Sequence, residues 1–378
     1  MFLEFLHNTH ELHILKSRIF STGVAAILSF VLAMSLFQPY IKILRRLHFS
    51  SELNGKDNIT QPVMPAGILF LMIITFVTLL TARINSYVVS ALLIYVFFSI
   101  IGAVDDIAKV VNKGRLSRGK ISKEEYMYKA DGISTNLRLG LYILISLLVA
   151  IVAYKFIPKI NGNITIPFLS ITKKFPYFPF WLFIPFMTLT IAIVANGVNF
   201  TDGFDTLSVV PLLTCITFAG IISYISSNTT WSSYLLIPHI PDVEETLPMT
   251  GAVAGTLLAF LWYNSPPSSI IMGDSGSIGL GGLVAILFIF IKAGFYIPIV
   301  GLIFMIEFLS SFLQIGYYKL TGKRLFLCAP IHHHFQIKMR RSPRYPNEFL
   351  IKSKIAWRFH IVSIVMLILG LIVFLKIR

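Results

Sequence analysis

Acidic residues are few in this chain. One adjacent pair of aspartates is closely followed by a lysine, and this combination suits phosphate chemistry. The stretch GAVDDIAKV places Asp105 directly before Asp106, with Lys109 following. Adjacent carboxylates repel each other, and a divalent cation or a lysine relieves that repulsion. Mg²⁺ commonly binds through one or two carboxylates together with substrate phosphates. The pattern indicates a metal or phosphate site, whereas an acidic pair taken alone also suits a solvated helix end.

A second group of polar residues lies in the stretch ANGVNFTDGFDTLS. Asn196 and Asn199 are three residues apart, so they share a face if the segment is helical. Gly203 follows Asp202 and lets the backbone approach a ligand closely, and Asp205 comes two residues later. A polar loop with Asn and Asp caps has a similar composition. The density of these residues, with no cation beside them, favours a site for a polar ligand or a metal.

The stretch NSPPSSIIMGDSGSIGLGG surrounds Asp274 with glycines and serines. Glycines expose backbone N–H groups, and a helix that begins at Ser277 would suit phosphate. This is not a P-loop, because no GKS or GKT is present. Close helix packing through small residues explains Gly279 to Gly282 equally well. Packing does not explain Asp274, which is therefore a candidate ligand.

Three consecutive histidines, His332, His333 and His334, occupy the stretch APIHHHFQ. Neighbouring histidines cannot all face one point unless the backbone is irregular, and their spacing is poor for zinc. Roles as phosphate donors or proton shuttles suit histidines near neutral pH. Glu307 lies inside an apolar segment, where an ionisable side chain indicates either a functional role or a hydrogen bond across the helix bundle.

The composition predicts that membrane-spanning helices carry these groups. Hydrophobic residues make up 56% of the 378 residues and charged residues only 13%, whereas soluble domains carry about 25% charged residues. A span needs about 20 mostly apolar residues. We expect an all-α, polytopic membrane protein that forms one domain over residues 1–378. Its ten predicted spans are 20–38, 63–81, 87–104, 137–156, 178–195, 207–224, 249–263, 278–291, 295–317 and 357–375.

The distribution of charge predicts the orientation of these spans. Loops that follow odd-numbered spans hold 20 lysines and arginines, against 10 on the opposite side. Because positive charge favours the cytoplasmic side, both termini are expected outside. The acidic and histidine stretches described above then share the cytoplasmic side, so one site is expected on the cytoplasmic loops. The net charge of +15 suits anionic lipid and phosphorylated substrates, and no motif indicates nucleic acid as a partner.

In their order along the chain, the motifs resemble those of the phospho-N-acetylmuramoyl-pentapeptide transferase (MraY) family, within the polyprenyl-phosphate N-acetylhexosamine-1-phosphate transferases. The matching stretches are DDxxK, NxxNxxDGxD, GDxGSxxLGG, ExxSxxxQ and KLTGKRLFLCAPIHHHFQ. The resemblance implies that UDP-MurNAc-pentapeptide and undecaprenyl phosphate react to give lipid I and UMP. It also implies Mg²⁺ as the cofactor and a multi-pass location among the lipids of the bacterial cytoplasmic membrane. Monomer and homodimer are both open.

The resemblance also implies roles for individual residues. Asp274 would bind Mg²⁺, and Asp105 and Asp106 would handle the lipid phosphate, with Asp105 as the candidate base. Lys109 would pair with phosphate or with these carboxylates. The other implied positions are Asn196, Asn199, Asp202 and Asp205 lining the site, Asp205 with Asn264 holding the uridine, and His332, His333 and His334 contacting the diphosphate or the sugar.

Some positions depart from the family pattern. The segment that reads TPTMGG in the family is QPVMPAG here, and Ile271 stands where an aromatic residue would stack on uracil. Gln336 replaces a glutamate after the histidines, and Lys120 is the nearest match to the second basic residue after DDxxK. These differences concern uracil binding and leave the metal and phosphate chemistry intact.

Two other functions are open from the sequence. The first is a transferase that uses UDP-GlcNAc or a related sugar, against which the triple histidine argues. The second is a transporter of a phosphorylated solute, with the acidic residues in a coupling site. Transporters place ionisable groups near the membrane midplane, whereas only Glu307 is expected there in this chain.

Overall fold

The computed structural model describes residues 17–47, 49, 61–117, 135–157, 160, 162–169, 176–345 and 347–375. Within these ranges the chain is helical, and the only strand-like pairings are two isolated bridges, Val63 to Ile270 and Asn163 to Tyr177. A helix pairs its backbone N–H and C=O groups within one segment, as a hydrocarbon environment requires. The predicted all-α, polytopic architecture is confirmed.

Thirteen α-helices occur in the described ranges. They are α1 (Arg18–Arg46), α2 (Gly67–Thr81), α3 (Ser86–Ser117), α4 (Thr135–Phe156), α5 (Phe180–Thr201), α6 (Val209–Ser227), α7 (Thr229–Leu235), α8 (Leu247–Asn264), α9 (Gly273–Phe290), α10 (Ile297–Val300), α11 (Leu302–Thr321), α12 (Ile331–Arg340) and α13 (Glu348–Leu375). Short 3₁₀ helices, Val243–Thr246 and Gly294–Tyr296, precede α8 and α10.

Every predicted span falls on a helix, and two of them differ from a simple crossing. Eight helices of the described part are long and apolar enough to cross a membrane. Helix α2 has only 15 residues, fewer than the roughly 20 that a straight span needs. The ninth predicted span is a helix pair, in which α11 is bent by 90° from the short helix before it. The bend falls at Gly301, whose ψ of 28° is not helical.

Several candidate site residues lie on helices where the sequence predicted helix ends or loops. Helix α3 continues to Ser117 instead of ending near residue 104, so Asp105 and Lys109 form an i, i+4 pair on one helix. Helix α9 begins at Gly273 and not at the expected Ser277, which places Asp274 in its first turn. The three histidines occupy the first turn of α12.

Helix α9 is enclosed by its neighbours, and its glycines let them approach closely. Every residue of α9 except Asp274 is buried. A Cβ atom added to Gly281 would lie 2.7 Å from the Cα of Ala195 in α5, and one added to Gly282 would lie 2.6 Å from a ring carbon of Phe98 in α3. The packing interpretation of these glycines is therefore confirmed.

A small apolar cluster fixes the turn between α5 and α6 against the histidine helix. It is separate from the main cluster of buried residues, which reaches from Ala25 in α1 to Phe374 in α13. The small cluster joins this turn to α12 and the start of α13, so three segments distant in sequence are held together near one end of the bundle. Its members are Phe204, Leu207, Met339, Ile351, Ile355 and Ala356.

Helices α1 and α8 pack through small residues four positions apart. A Cβ atom on Gly251 would collide with the carbonyl oxygen of Thr22, and one on Gly255 would collide with that of Ala26. Glycines at this spacing let two helix backbones approach closely, as in membrane helix pairs of the GxxxG type. The glycine pair therefore sets the distance between α1 and α8.

We expect Gly255→Ala to lower the midpoint of thermal unfolding in detergent by several degrees. The added methyl group would collide with the backbone of α1, which cannot move away without disturbing that helix. Overpacking of this kind typically costs about 1–3 kcal/mol. Gly140→Ala in α4 is the matched control, since nothing lies within 4 Å of its added Cβ. The control midpoint should stay level or rise slightly, because alanine favours helix over glycine. Equal midpoints for the two variants would contradict the close α1–α8 contact.

Candidate active site

Asp274 is the meeting point of side chains from three other helices. Its Oδ2 accepts hydrogen bonds from Lys109 Nζ at 2.9 Å and from Arg138 Nη1 at 3.0 Å. Its Oδ1 accepts a hydrogen bond from Asn199 Nδ2 at 2.8 Å. The Asp274 side chain is 14% exposed, so this carboxylate is held by protein donors and yet is open to a ligand.

Asp105 shares the same two cations. Its Oδ2 lies 2.8 Å from Lys109 Nζ and 3.0 Å from Arg138 Nη1, and its side chain is fully buried. Two carboxylates and two cations thus form one closed cluster, named here the four-residue cluster: Asp105, Lys109, Arg138 and Asp274. Mutual neutralisation allows charges to lie in a low-dielectric interior where a lone ion would be costly.

Asp106 points away from this cluster and caps helix α9. Its two carboxylate oxygens accept hydrogen bonds from the backbone N–H groups of Asp274 at 3.0 Å and Ser275 at 2.9 Å. A carboxylate at a helix amino end satisfies N–H groups that lack a partner and favours the positive end of the helix dipole. Gly273 adopts φ +78°, and a Cβ there would lie 2.8 Å from an oxygen of Asp106. The adjacent aspartates therefore have different surroundings, and the predicted contact of Asp106 with lipid phosphate stays a prediction.

The turn after α5 lies beside the amino end of α9. Burial raises the pKa of Asp202 to about 8; the charges of Asp274 and Asp106 also raise it, while hydrogen bonds from Ser208 and from the backbone of Gly273 lower it. The Ser208 hydroxyl donates to Asp202 Oδ1 at 2.7 Å. A carboxyl group of this kind holds its proton near neutral pH. The geometry places Asp202 next to the four-residue cluster without a direct bond to it.

The predicted nucleotide residues hold the loop before α9. Asn264 is buried; its Oδ1 accepts from the N–H of Thr206 at 2.7 Å, and its Nδ2 donates to the carbonyl of Ile270 at 2.8 Å. Asp205 accepts a hydrogen bond from the Ser268 hydroxyl at 2.9 Å. Asn264 thus ties the α5–α6 turn to this loop, and its predicted contact with uridine is untested.

Ile271 is held by hydrogen bonds of its own backbone, and Asn196 by a hydrogen bond from its side chain to the backbone. The Ile271 N–H donates to Val63 O at 2.8 Å, and its carbonyl accepts from Ala66 N–H at 2.9 Å. These bonds align the QPVMPAG segment with the loop before α9, while the Ile271 side chain is half-buried. The Asn196 amide donates to Ala192 O within α5 at 2.8 Å. Lys120 lies outside the described residues.

The three histidines face three different partners, as expected for consecutive positions on a regular helix. His332 is buried, and its Nδ1 lies 3.0 Å from Glu307 Oε2 in α11. Gln336 Oε1 lies 2.9 Å from His333 Nδ1, and burial lowers the pKa of His333. The Nδ1 of His334 accepts from the N–H of Leu327 at 3.2 Å. Glu307 thus forms the predicted hydrogen bond across the bundle.

Arg138 is the main residue that sequence reasoning missed. It lies near the start of α4 and bonds to both carboxylates of the four-residue cluster. A lone arginine at the start of an apolar span is itself a signal, because an ionisable group there seeks a partner inside the bundle. Ser277 was also missed as a partner; its hydroxyl lies 3.0 Å from Asn199 Nδ2.

The side chains of the site could bind a magnesium ion only together with substrate phosphates. No group of three or more His, Cys, Asp or Glu side chains in the described ranges could hold a metal by itself. Mg²⁺ needs no such cage, because it is usually held by one or two carboxylates plus substrate phosphates and water. Asp274 is the partly open carboxylate of the four-residue cluster, whereas the Asp105 and Asp106 side chains have no exposed surface. Asp274 is therefore the residue that would hold such an ion.

Fold and site together define a polytopic membrane protein of the glycosyl transferase class. The family model described as "Glycosyl transferase family 4" matches residues 88–292. That segment runs from α3 to the end of α9 and includes all of the four-residue cluster. The match thus covers the acidic residues that the structure brings together.

Curated relatives specify the family further. A phospho-N-acetylmuramoyl-pentapeptide-transferase of a Nitratiruptor species is 33% identical over 384 residues, covering 100% of both chains. The enzyme of that name from Sulfurimonas denitrificans is 38% identical over 314 residues, 82% of this chain and 80% of the relative. One from Rickettsia bellii is 32% identical, covering 98% of this chain and 97% of the relative. The chain belongs to the phospho-N-acetylmuramoyl-pentapeptide-transferase family, and the resemblance seen in the motifs is confirmed.

We expect Asp106→Asn to destabilise the protein, because the new NH₂ group cannot accept the hydrogen bond from one backbone N–H of α9. A buried donor left unpaired costs about 1–3 kcal/mol, which thermal unfolding in detergent would detect. Asp205→Asn is the matched control, since the remaining oxygen can still accept the single bond from Ser268. An Asp106→Asn midpoint no lower than that of the control would contradict the capping role.

Proposed function

We propose that the chain transfers phospho-MurNAc-pentapeptide from UDP-MurNAc-pentapeptide to undecaprenyl phosphate, giving lipid I and UMP in peptidoglycan synthesis. The names of the relatives support this activity. The structural observation that carries it is the sharing of Lys109 and Arg138 between two carboxylates at the amino end of α9. Cations held in this way can turn to an arriving phosphate without a large rearrangement.

The reaction breaks one diphosphate linkage and forms another. An oxygen of the lipid phosphate attacks the phosphorus that carries the sugar, and the bond from that phosphorus to UMP breaks. Because the bonds broken and formed are alike, the catalyst needs to position reactants and neutralise charge. Lys109 and Arg138 supply positive charge from two helices, and the amino end of α9 adds its dipole.

Asp274 would hold Mg²⁺, which supplies charge neutralisation between the phosphates when bound. Asn199 donates to the Asp274 Oδ1 atom and so fixes the orientation of the carboxylate. Asp105 would position the lipid phosphate or accept a residual proton. A phosphate monoester has its second pKa near 6, so the nucleophile is already largely ionised and a strong base is unnecessary. We therefore favour direct attack over a route through a phosphorylated aspartate.

A transporter of phosphorylated solutes is the alternative from another class, and the site argues against it. The four-residue cluster lies at the amino ends of α4 and α9, beside Asp105 and Lys109 of α3, whereas transporter sites lie at the midplane. A UDP-GlcNAc transferase is the alternative within the class. The names of the relatives favour MurNAc-pentapeptide over GlcNAc as the sugar.

We expect Asp274→Asn to abolish UMP release while the protein still inserts and folds, because the amide cannot provide a negative ligand for Mg²⁺ or balance the two cations. The assay measures UMP from UDP-MurNAc-pentapeptide with undecaprenyl phosphate at saturating Mg²⁺. Asp242→Asn is the control, since Asp242 is exposed and its left-handed φ of 62° suits asparagine. Turnover of Asp274→Asn at the wild-type rate would rule out its assignment.

We expect Asp205→Ala and Asp105→Ala to affect different kinetic constants. Asp205 lies in the loop region assigned to the nucleotide, so its loss should raise KM for the nucleotide sugar more than KM for the lipid. Asp105 lies among the cations, so its loss should mainly lower kcat. Steady-state kinetics with each substrate varied in turn tests the division. Proportional losses in both constants for both variants would contradict it.

We further propose that the protein lies in the inner membrane with its site facing the cytoplasm, the compartment in which UDP-linked sugars are made. The 19-residue helix α6 separates the Asp205 turn at one end from α7 at the other, a distance of roughly 28 Å at 1.5 Å per residue. This length is nearly that of the hydrocarbon core, which is about 30 Å thick. The two helix ends therefore lie on opposite sides if α6 crosses the bilayer.

In a background lacking Cys215 and Cys328, an Arg344→Cys variant should react with an impermeant maleimide only in inverted vesicles. A Thr230→Cys variant should react only in intact cells or spheroplasts. Both positions are exposed. The reverse pattern would place the histidine helix outside and remove it from the nucleotide substrate.

A further inference from the structure

Glu307 and His332 form a buried acid–imidazole pair whose acid has no part in the proposed reaction. Both side chains lie in the interior, Glu307 with 0% and His332 with 1% of its surface exposed. Glu307 Oε2 lies 3.0 Å from His332 Nδ1, and Glu307 Oε1 has no hydrogen-bond partner among the described residues. The protonation of this pair determines what the other ring nitrogen can do.

Burial favours a pair with no net charge, because a lone ion is costly away from water. Two neutral arrangements keep a hydrogen on Nε2: imidazolium with carboxylate, and neutral imidazole with the carboxyl group donating to Nδ1. A third neutral arrangement, with Nδ1–H donating to Oε2 and the carboxyl hydrogen on Oε1, would leave Nε2 as an acceptor, but it buries that hydroxyl hydrogen without an acceptor among the described residues. A lone negative charge on Glu307 would also leave Nε2 as an acceptor, and burial disfavours it.

The surrounding charged groups do not reverse this preference. Lys352 from α13 is exposed and reaches the ring of Phe204 at 5.5 Å, and Phe204 in turn contacts the ring of His332 at 4.7 Å. An aromatic ring thus stands between this cation and the buried pair. On α12 itself the neighbour is His333, and in the turn after α5 it is Asp202, whose pKa is raised by burial.

The Nε2 atom of His332 lies beneath the turn formed by Asp202 and Gly203, and it is buried without a partner among the described residues. A Cβ added to Gly203 would collide with Nε2 and lie 2.8 Å from Cε1, so only glycine leaves room for the ring. Gly203 itself is exposed, and Asp202 contacts the backbone of Gly273, next to Asp274. The unpaired donor is therefore close to the metal-binding end of α9.

We propose that Glu307 is a positioning residue that keeps a hydrogen on Nε2 of His332, so that this ring donates a hydrogen bond to an anionic oxygen of the nucleotide-sugar diphosphate at the Asp202–Gly203 turn. The inference rests on the proposed function, which supplies that diphosphate. It makes His332 a donor and not a base. His333 differs, because its Nδ1 lies against the amide of Gln336, a side chain that does not ionise and that is bonded in turn to Glu348.

Two substitutions at Glu307 separate a hydrogen-bonding role from a packing role. The amide of Glu307→Gln can donate to Nδ1, which keeps the hydrogen on Nε2, so kcat should stay within a few-fold of wild type. Glu307→Met has a similar length but forms no hydrogen bond. Its kcat should fall roughly tenfold or more, the effect of one hydrogen bond to a charged group, with KM for undecaprenyl phosphate and the unfolding midpoint unchanged. Equal kcat values for the Gln and Met variants would overturn the proposal.

Glu348→Met is the matched control, because it makes the same change at an acid whose side chain is 44% exposed and that also contacts α12. It should alter kcat less than Glu307→Met does. Equal losses would show that any disturbance of α12 lowers activity, against the proposal. In a His332→Ala background, Glu307→Met should cause no further loss, because a residue that acts through another is non-additive with it. An additional loss would place the effect of Glu307 elsewhere.

A spectroscopic measurement tests the proton directly. In ¹⁵N-histidine NMR of the full-length protein, with the His332 signals assigned by their loss in His332→Ala, Nε2 should be protonated in wild type and in Glu307→Gln. An unprotonated Nε2 in wild type would overturn the proposal even if the enzyme is active. Failure of wild type to release UMP would instead contradict the proposed function, while the NMR result still decides the position of the hydrogen.

Discussion

The sharing of two cations by two buried carboxylates is the interaction on which the rest of the site depends. Lys109 and Arg138 each lie within 3.0 Å of Asp105 and of Asp274. Balanced charges can lie among membrane helices where a single charge would not. The balance is also what a phosphorylated substrate can exploit, because it brings its own negative charge to cations that are already in place. Removal of any one member would leave an uncompensated charge in the bundle.

The packing of α9 serves this arrangement. Asp106 holds the backbone at the start of the helix, and glycines along the helix let α3 and α5 approach it. The carboxylate of Asp274 therefore projects from a helix end that cannot easily shift. In a family that exchanges one diphosphate linkage for another, rigid placement of charge contributes more than a strong nucleophile does.

Much of the fold and of the site could be predicted from the chain alone. Long apolar segments have few ways to pair their backbone groups in a membrane, so their composition indicates helices and their length indicates spans. Asp105 and Asp274 stood out because acidic residues are scarce in this sequence, and Lys109 stood out because it closely follows the acidic pair. Helix ends were less predictable, since α3 continues past the predicted boundary and α9 starts four residues early. Both differences arise from contacts that stabilise polar ends inside the protein.

The sequence by itself determined the helical membrane architecture and the family, and it singled out the acidic and histidine residues as candidates for the site. Only the tertiary structure decided which of them meet. Arg138 reaches Asp274 across 136 positions of the chain, Asp106 turns to the backbone while Asp105 faces the cations, and His332 separates from its neighbours to bind Glu307. Hydropathy and motif spacing report on local segments, whereas these pairings depend on how helices distant in the chain pack together.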